Sequence, residues 1–203
     1  VMYGMPIYFI EKYDVTLLKQ ALYEKNVTIA SLVTLMLQQL VDELPNEPLP
    51  KSVRCILLGG GSVPQTLLHQ VEENEIPLFQ SYGMTETSSQ IVTLSSTYAR
   101  EKLGSAGKPL FPAQININDP IEEGIGEIIV KGPMVFRGYD RLLEDNKRAF
   151  TDGWFHTGDL GYIDEDGFLY VVDRRTDLII SGGENIYPTE VEQVLLSYPH
   201  VKD

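Results

Sequence analysis

The residues best suited to chemistry fall in four short segments. Ser81-Tyr82-Gly83-Met84-Thr85-Glu86-Thr87 gathers an aromatic ring, a glycine, hydroxyls and a carboxylate within a few positions. A ring can stack on a base, a glycine lets a backbone come close, and a hydroxyl beside a carboxylate can face a phosphate and its metal ion. The set suits a nucleotide; a polar loop whose hydroxyls only satisfy backbone groups accounts for the same residues. Trp154-Phe155-His156-Thr157-Gly158-Asp159 ends on an aspartate whose two oxygens can accept from vicinal ribose hydroxyls, and a β-turn beside one buried tryptophan fits it equally. Gly59-Gly60-Gly61 follows an apolar run and either exposes amides to a ligand or makes a turn, the turn being the simpler reading. Asp173-Arg174-Arg175-Thr176-Asp177 runs through Ile179-Ile180-Ser181 into Gly182-Gly183-Glu184-Asn185-Ile186-Tyr187-Pro188. It joins a cationic pair, a pivot and a paired-glycine loop, and a hairpin between domains explains only the glycines.

These segments sit in a chain of 203 residues, 43% hydrophobic and 22% charged, an ordinary balance for a globular protein with a core. The net charge of −13, from 29 acidic and 16 basic side chains, argues against nucleic acid as a partner. Small phosphates stay open, because backbone amides and Mg²⁺ hold them without net positive charge. No apolar run approaches the ~20 residues that span a bilayer, so membrane insertion is not expected. The single cysteine, Cys55, lies in the apolar run 53–58 and reads as a buried strand residue rather than a catalytic thiol. One cysteine rules out an internal disulfide, which fits a reducing, cytoplasmic setting. His156 lacks a companion for a metal site, since only His69 and His200 accompany it and neither is near in sequence. Gly124-Ile125-Gly126 and Asp164-Glu165-Asp166-Gly167 read as turns rather than as a dinucleotide fingerprint and a calcium loop. The N-terminus carries no signal-peptide pattern and begins in mid-pattern, as a fragment would.

The elements that must position the four segments follow from periodicity. A strand is expected at Ile7-Tyr8-Phe9-Ile10, then a helix capped by Asp14 with Leu17, Leu18, Ala21 and Leu22 on its apolar face. A strand at 27–30, a helix through Leu35, Leu37, Leu40 and Val41, a strand at 53–58, a helix opened by a Ser62/Gln65 capping box and a strand at 77–80 come next. This alternation predicts an α/β unit with a largely parallel sheet over 1–102. Short strands at 114–117, 126–131, 161–163 and 168–172, with a helical insert near 144–150, predict a β-rich subdomain over 103–172. A Thr189/Glu192 capping box opens a last helix, so 173–203 reads as a linking segment and the start of a small α+β domain.

The order and spacing of the four segments resemble the adenylate-forming superfamily of acyl-CoA synthetases, luciferases and peptide-synthetase adenylation domains, over essentially all of the chain. The resemblance implies the large N-terminal domain of such an enzyme and the beginning of its C-terminal domain. It further implies that Tyr82 stacks on adenine with Gly83 beside it, that Thr85 contacts phosphates and that Glu86 holds Mg²⁺. Gly59, Gly60 and Gly61 line the junction of adenine and acyl group, Asp159 takes the ribose hydroxyls and Arg174 adds a nucleotide contact. Thr176 stands at the hinge, where the family often has aspartate or lysine, and Gly182 and Gly183 approach the pantetheine arm of CoA. Thr34, Ser88, Ser89 and Gln90 are candidates for the acyl pocket.

The implied reaction joins a small-molecule carboxylic acid to CoA at the expense of ATP, and homo-oligomerisation is left open. Three rivals share these motifs: a fatty-acid or aryl-CoA ligase, an adenylation module serving a carrier protein, and a remnant that binds AMP without turnover. The loop 181–185 favours the CoA ligases. The family's Ser/Thr/Gly-rich phosphate loop and its adenylation lysine are expected upstream of residue 1 and beyond Asp203. This polypeptide alone is therefore expected to make no acyl-adenylate at a useful rate; full turnover in an acid-dependent pyrophosphate-exchange assay would contradict it.

Overall fold

A computed structural model describes the chain except residues 1–3, 45–47, 61–62, 100, 122–123, 175–178, 182–183, 197, 199–200 and 202–203. It divides into two units, Val1–Phe79 and Gln80–Asp203. Among the described residues no helix is long and apolar enough to cross a membrane.

In the first unit Asp14 caps helix α1 (Val15–Glu24), its carboxylate accepting from the Leu17 amide at 3.0 Å. Strand β1 (Ile29–Leu32) pairs in parallel with β2 (Cys55–Leu58). Helices α2 (Thr34–Asp42) and α3 (Gln65–Glu73) alternate with them. Leu18, Ala21 and Leu22 of α1, Leu37, Leu40 and Val41 of α2 and Leu67, Leu68 and Val71 of α3 are buried with Ile56 and Leu58 of β2. Each helical set recurs at three- and four-residue intervals, so one stripe faces the core. Leu17 and Leu35, assigned to those stripes from periodicity, are exposed.

The second unit is built from antiparallel strands. β3 (Leu78–Met84) begins at the end of the first unit, and its later residues pair with β4 (Ser89–Leu94), which pairs with β5 (Lys108–Pro109). β6 (Gln114–Asn118), β7 (Gly126–Lys131), β9 (Trp154–Ile163) and β10 (Leu169–Arg174) form a sheet of order β10-β9-β7-β6. The two-residue β8 (Phe150–Thr151), entered from helix α4 (Leu143–Ala149), pairs with β9. Ile91 and Val92 of β4 meet Ile128, Val130, Phe155 and Leu169 in one apolar core. The chain continues into the hairpin β11 (Ile179–Ser181) and β12 (Glu184–Ile186) and helix α5 (Pro188–Leu196).

The mixed α/β class follows the sequence reading, with local corrections. Ile7 to Ile10 form no strand, and Ile7 and Phe9 are exposed, because an apolar run becomes a strand only where a neighbour takes its hydrogen bonds. β1 pairs with β2 in parallel, whereas β4 runs antiparallel to β3 and β5 antiparallel to β4. Helix α3 starts at Gln65 behind Pro64, with no side-chain cap, since proline keeps Val63 out of the helical region; Ser62 lies outside the described residues. Thr189 is inside α5 rather than its cap, and its amide donates to Asp173 Oδ2 at 3.1 Å, so a carboxylate sixteen positions upstream serves that helix end. The turns expected at 124–126 and 164–167 connect β6 to β7 and β9 to β10. In the second, Asp164 Oδ1 accepts from the Asp166 and Phe168 amides.

Ile128 is fully buried at the centre of the second unit's core. Ile128→Ala should lower the unfolding free energy by about 2–5 kcal/mol, the usual cost of such a truncation, read as a lower urea midpoint at unchanged slope.

Candidate functional site

Asp159 reaches its position through a bulge. β7 and β9 pair Glu127 with Leu160 and then Ile129 with His156, so Thr157, Gly158 and Asp159 together face Ile128. Bulges of this kind bend a strand and re-aim a side chain. Gly158 sits at φ +77°, in the left-handed region that a side chain resists. The Thr157 hydroxyl donates to the Ile128 carbonyl at 2.7 Å and accepts from the Asp159 amide at 3.1 Å. The Gly158 amide donates to Glu127 Oε1 at 3.2 Å. Trp154 to Asp159, open to a turn reading from sequence, are strand residues throughout.

Asp159 is only 6% exposed, and its carboxylate has two donors among the described residues. Tyr82 Oη donates to Oδ2 at 2.8 Å, and Arg174 Nε donates to Oδ1 at 3.2 Å. Arg174 stands opposite Asp159 in the β9–β10 ladder, beyond a bulge at Val172. Tyr82 stands at another irregularity, where β4 inserts Ile91 between the partners of Tyr82 and Gly83. Tyr82, Gly83 and Met84 thus belong to β3, not to a loop after it. Gly83 does permit a close backbone approach, but the approaching backbone is that of β4: a Cβ there would lie 2.3 Å from the Ser89 carbonyl oxygen.

Burial raises the pKa of Asp159 above the usual carboxylate value, opposed by the Tyr82 hydrogen bond and by Arg174 and reinforced by nearby Glu127. Burial, and then the charge of Asp159, holds the Tyr82 phenol far above its usual pKa, so the hydroxyl stays a donor. Arg174 is 68% exposed, so solvent screens its pairing. Each carboxylate oxygen can accept two hydrogen bonds. With one donor on each among the described residues, Asp159 keeps an acceptor position per oxygen, an arrangement suited to two adjacent hydroxyls.

Glu86 lies in the 3-10 turn Thr85–Thr87 directly after β3. The turn is closed from within by the Thr87 hydroxyl, which accepts from the Met84 amide at 3.0 Å and donates to the Ser89 carbonyl at 2.7 Å. It is held from outside by residues 134–139. Phe136 N–H donates to the Glu86 carbonyl at 2.7 Å, Ser88 Oγ to the Met134 carbonyl at 2.8 Å and Tyr139 Oη to Glu86 Oε1 at 3.0 Å. Asn146 of α4 fixes Tyr139 by bonding both its amide and its carbonyl, at 2.7 and 2.8 Å. No cluster of three or more His, Cys, Asp or Glu among the described residues makes an all-protein metal cage. A single carboxylate with Oε2 turned to no described donor matches the needs of Mg²⁺, which takes one or two carboxylates and completes its shell with phosphates and water.

The remaining sequence candidates are placed less informatively. Gly59 and Gly60 form the turn after β2, Gly60 at φ +93° against Val33, and belong to the first unit, as does Thr34, the first residue of α2. Thr85 is exposed, Ser88 takes a left-handed φ of +62° and Ser89 begins β4. Gly61, Thr176, Gly182 and Gly183 lie outside the described residues. Glu127, Tyr139 and Asn146 escaped the sequence reading. An acidic residue inside the otherwise apolar strand 126–130 was the one available signal for Glu127. His156 is engaged by Glu127 and by Thr151, at 2.9 and 3.2 Å.

Comparison with known proteins bears on this geometry. A family model described as AMP-binding enzyme matches residues 1–140. A 2-succinylbenzoate–CoA ligase of Oceanobacillus iheyensis is 57% identical over the whole chain and 43% of its own length. O-succinylbenzoate CoA synthetase of Bacillus subtilis in complex with the acyl-adenylate intermediate OSB-AMP superposes with a TM-score of 0.93 at 51% identity, over 100% of this chain and 42% of that one. The same enzyme in complex with ATP and magnesium ion gives 0.92 at 51% identity, over 100% and 43%. The chain thus spans less than half the length of these relatives. With a family match over residues 1–140, more than half of its length, the chain belongs to the AMP-binding enzymes.

Proposed function

We propose that the chain is the nucleotide-holding section of an AMP-forming acid–thiol ligase acting on 2-succinylbenzoate, an acid that the resemblance ties to menaquinone biosynthesis. The observation that carries this reading is the Asp159 carboxylate, buried and held by Tyr82 and Arg174 with acceptor capacity to spare. In this reading Asp159 takes the ribose hydroxyls, Tyr82 offers its ring to adenine and Arg174 adds a contact. Thr85 faces the phosphates and Glu86 the metal. When bound, Mg²⁺ neutralises phosphate charge as the acid's carboxylate attacks the α-phosphorus of ATP and pyrophosphate leaves. The CoA thiol then attacks the acyl carbonyl and AMP departs. Gly59, Gly60 and Gly61 line the acyl junction, with Thr34, Ser88 and Ser89 toward the acid. Thr176 serves as the hinge, and Gly182 and Gly183 approach CoA. The proposed division remains 1–102, 103–172 and 173–203, in a cytoplasmic enzyme, with the chain alone inactive or nearly so.

The identity of the acid is tested by a ligation panel on the intact ligase; 2-succinylbenzoate should be preferred over fatty acids, and preference for a fatty acid would refute the substrate. The nucleotide site is tested on the chain itself by calorimetry with AMP and Mg²⁺. Asp159→Asn should weaken AMP roughly tenfold or more while the fold persists, the cost of a lost charged acceptor. Acid should affect binding and stability in opposite directions. The raised pKa means that Asp159 protonates above the usual ~3.9, so AMP affinity falls there. The folded pKa exceeds the unfolded one, so this group's stabilisation is full at low pH and is lost as pH rises through the folded pKa. Affinity unchanged by Asp159→Asn would overturn the site assignment.

A further inference from the structure

Glu127 is an acidic side chain buried in the middle of β7, 9% exposed and given no role by the nucleotide reading. Burying a carboxylate is costly unless donors satisfy it, so its partners are informative. One oxygen, Oε1, accepts from the Gly158 amide at 3.2 Å. The other, Oε2, lies 2.9 Å from His156 Nδ1. His156 Nε2 lies 3.2 Å from the Thr151 hydroxyl. A neutral imidazole protonated on Nδ1 satisfies the whole set: Nδ1–H donates to the carboxylate and Nε2 accepts from the threonine.

The residue Glu127 grips is the left-handed glycine immediately before Asp159. Across the β7–β9 ladder Glu127 also pairs with Leu160, immediately after Asp159. The bulge therefore turns over the side chain of Glu127, while Thr157 pins the Asp159 amide from within it. On the β7 side the bulge leaves Thr157, Gly158 and Asp159 without one-to-one ladder partners, so side-chain bonds such as these hold Asp159 there, while Arg174 pairs with it on the β10 side. Thr151 on β8 and His156 on β9 fix the carboxylate in turn.

We propose that Glu127 is a positioning residue for the nucleotide site, with His156 orienting it: its grip on the Gly158 amide sets the bulge that delivers the Asp159 carboxylate to Tyr82 and Arg174. This rests on the reading of Asp159 as the ribose acceptor. Glu127 touches no ligand itself; it acts through Asp159.

Two measurements on the purified chain separate the ideas. Calorimetry with AMP and Mg²⁺ should show Glu127→Ala weakening affinity about tenfold, Glu127→Gln restoring it to within about threefold, and Glu127→Ala adding nothing in an Asp159→Asn background. The glutamine keeps a carbonyl for the Gly158 amide, and its NH₂ group is accepted by the other tautomer of His156. Independent losses for Glu127→Ala and Asp159→Asn, or no rescue by glutamine in a folded variant, would overturn the proposal. The second measurement needs no nucleotide: amide hydrogen exchange at Gly158 and Asp159 should accelerate in Glu127→Ala and His156→Ala but not in Glu127→Gln. If the wild-type chain binds no AMP, the nucleotide reading fails, and the exchange data alone decide whether Glu127 positions the bulge. Unchanged exchange would refute it.

Discussion

A buried carboxylate must find donors, and the second unit is organised around meeting that demand at Asp159. Its partners come from three strands: Tyr82 from β3, Arg174 from β10 and Thr157 from its own β9. Arg174 meets Asp159 as its cross-strand partner, Thr157 lies two positions away on the same strand, and Tyr82 comes from a strand of another sheet. The structure breaks the ladder beside each of them, at Ile91, at Val172 and across Thr157 to Asp159. Irregularity is thereby confined to the site, while Ile128, Val130 and Leu169 keep the surrounding sheet on an apolar core.

The turn carrying Glu86 is positioned differently. It is a short 3-10 turn whose hydrogen bonds alone would define it poorly. The segment 134–139 fastens it through the Phe136 amide as donor, the Met134 carbonyl as acceptor and the Tyr139 hydroxyl, and Asn146 ties that segment to α4. The Asp159 carboxylate is thus buried and held by strands, whereas the Glu86 carboxylate is more accessible and held by a loop that a helix secures.

Much of this was legible in the sequence, for reasons visible at particular residues. Tyr82, Glu86, Asp159 and Arg174 lie in compact strings whose order and spacing are unusual, so they could be picked out without coordinates. Helices α1 and α2 were readable because Leu18, Leu22, Leu37 and Val41 repeat at helical spacing. The strand at 7–10 was misread because apolar composition says nothing of a pairing partner. The strand expected at 77–80 runs on through Tyr82 to Met84, and the close approach expected at Gly83 is made by β4, a partner that the local string does not name. The Thr189/Glu192 pattern looked like a complete cap, yet Asp173 fills that role from outside the local window.

By itself, then, the sequence determined the family, the alternation of elements in the first unit and the identity of the residues with chemistry to offer. Those are local properties, set by residue type and short-range period. Only the tertiary structure decided that Tyr82, Arg174 and Asp159 meet, that Gly158 turns over Glu127, and that Tyr139 holds Glu86. Each of those contacts joins positions from 15 to 77 residues apart. Their existence depends on strand register and on where the ladder slips, and register is a property of the pair of strands rather than of either one.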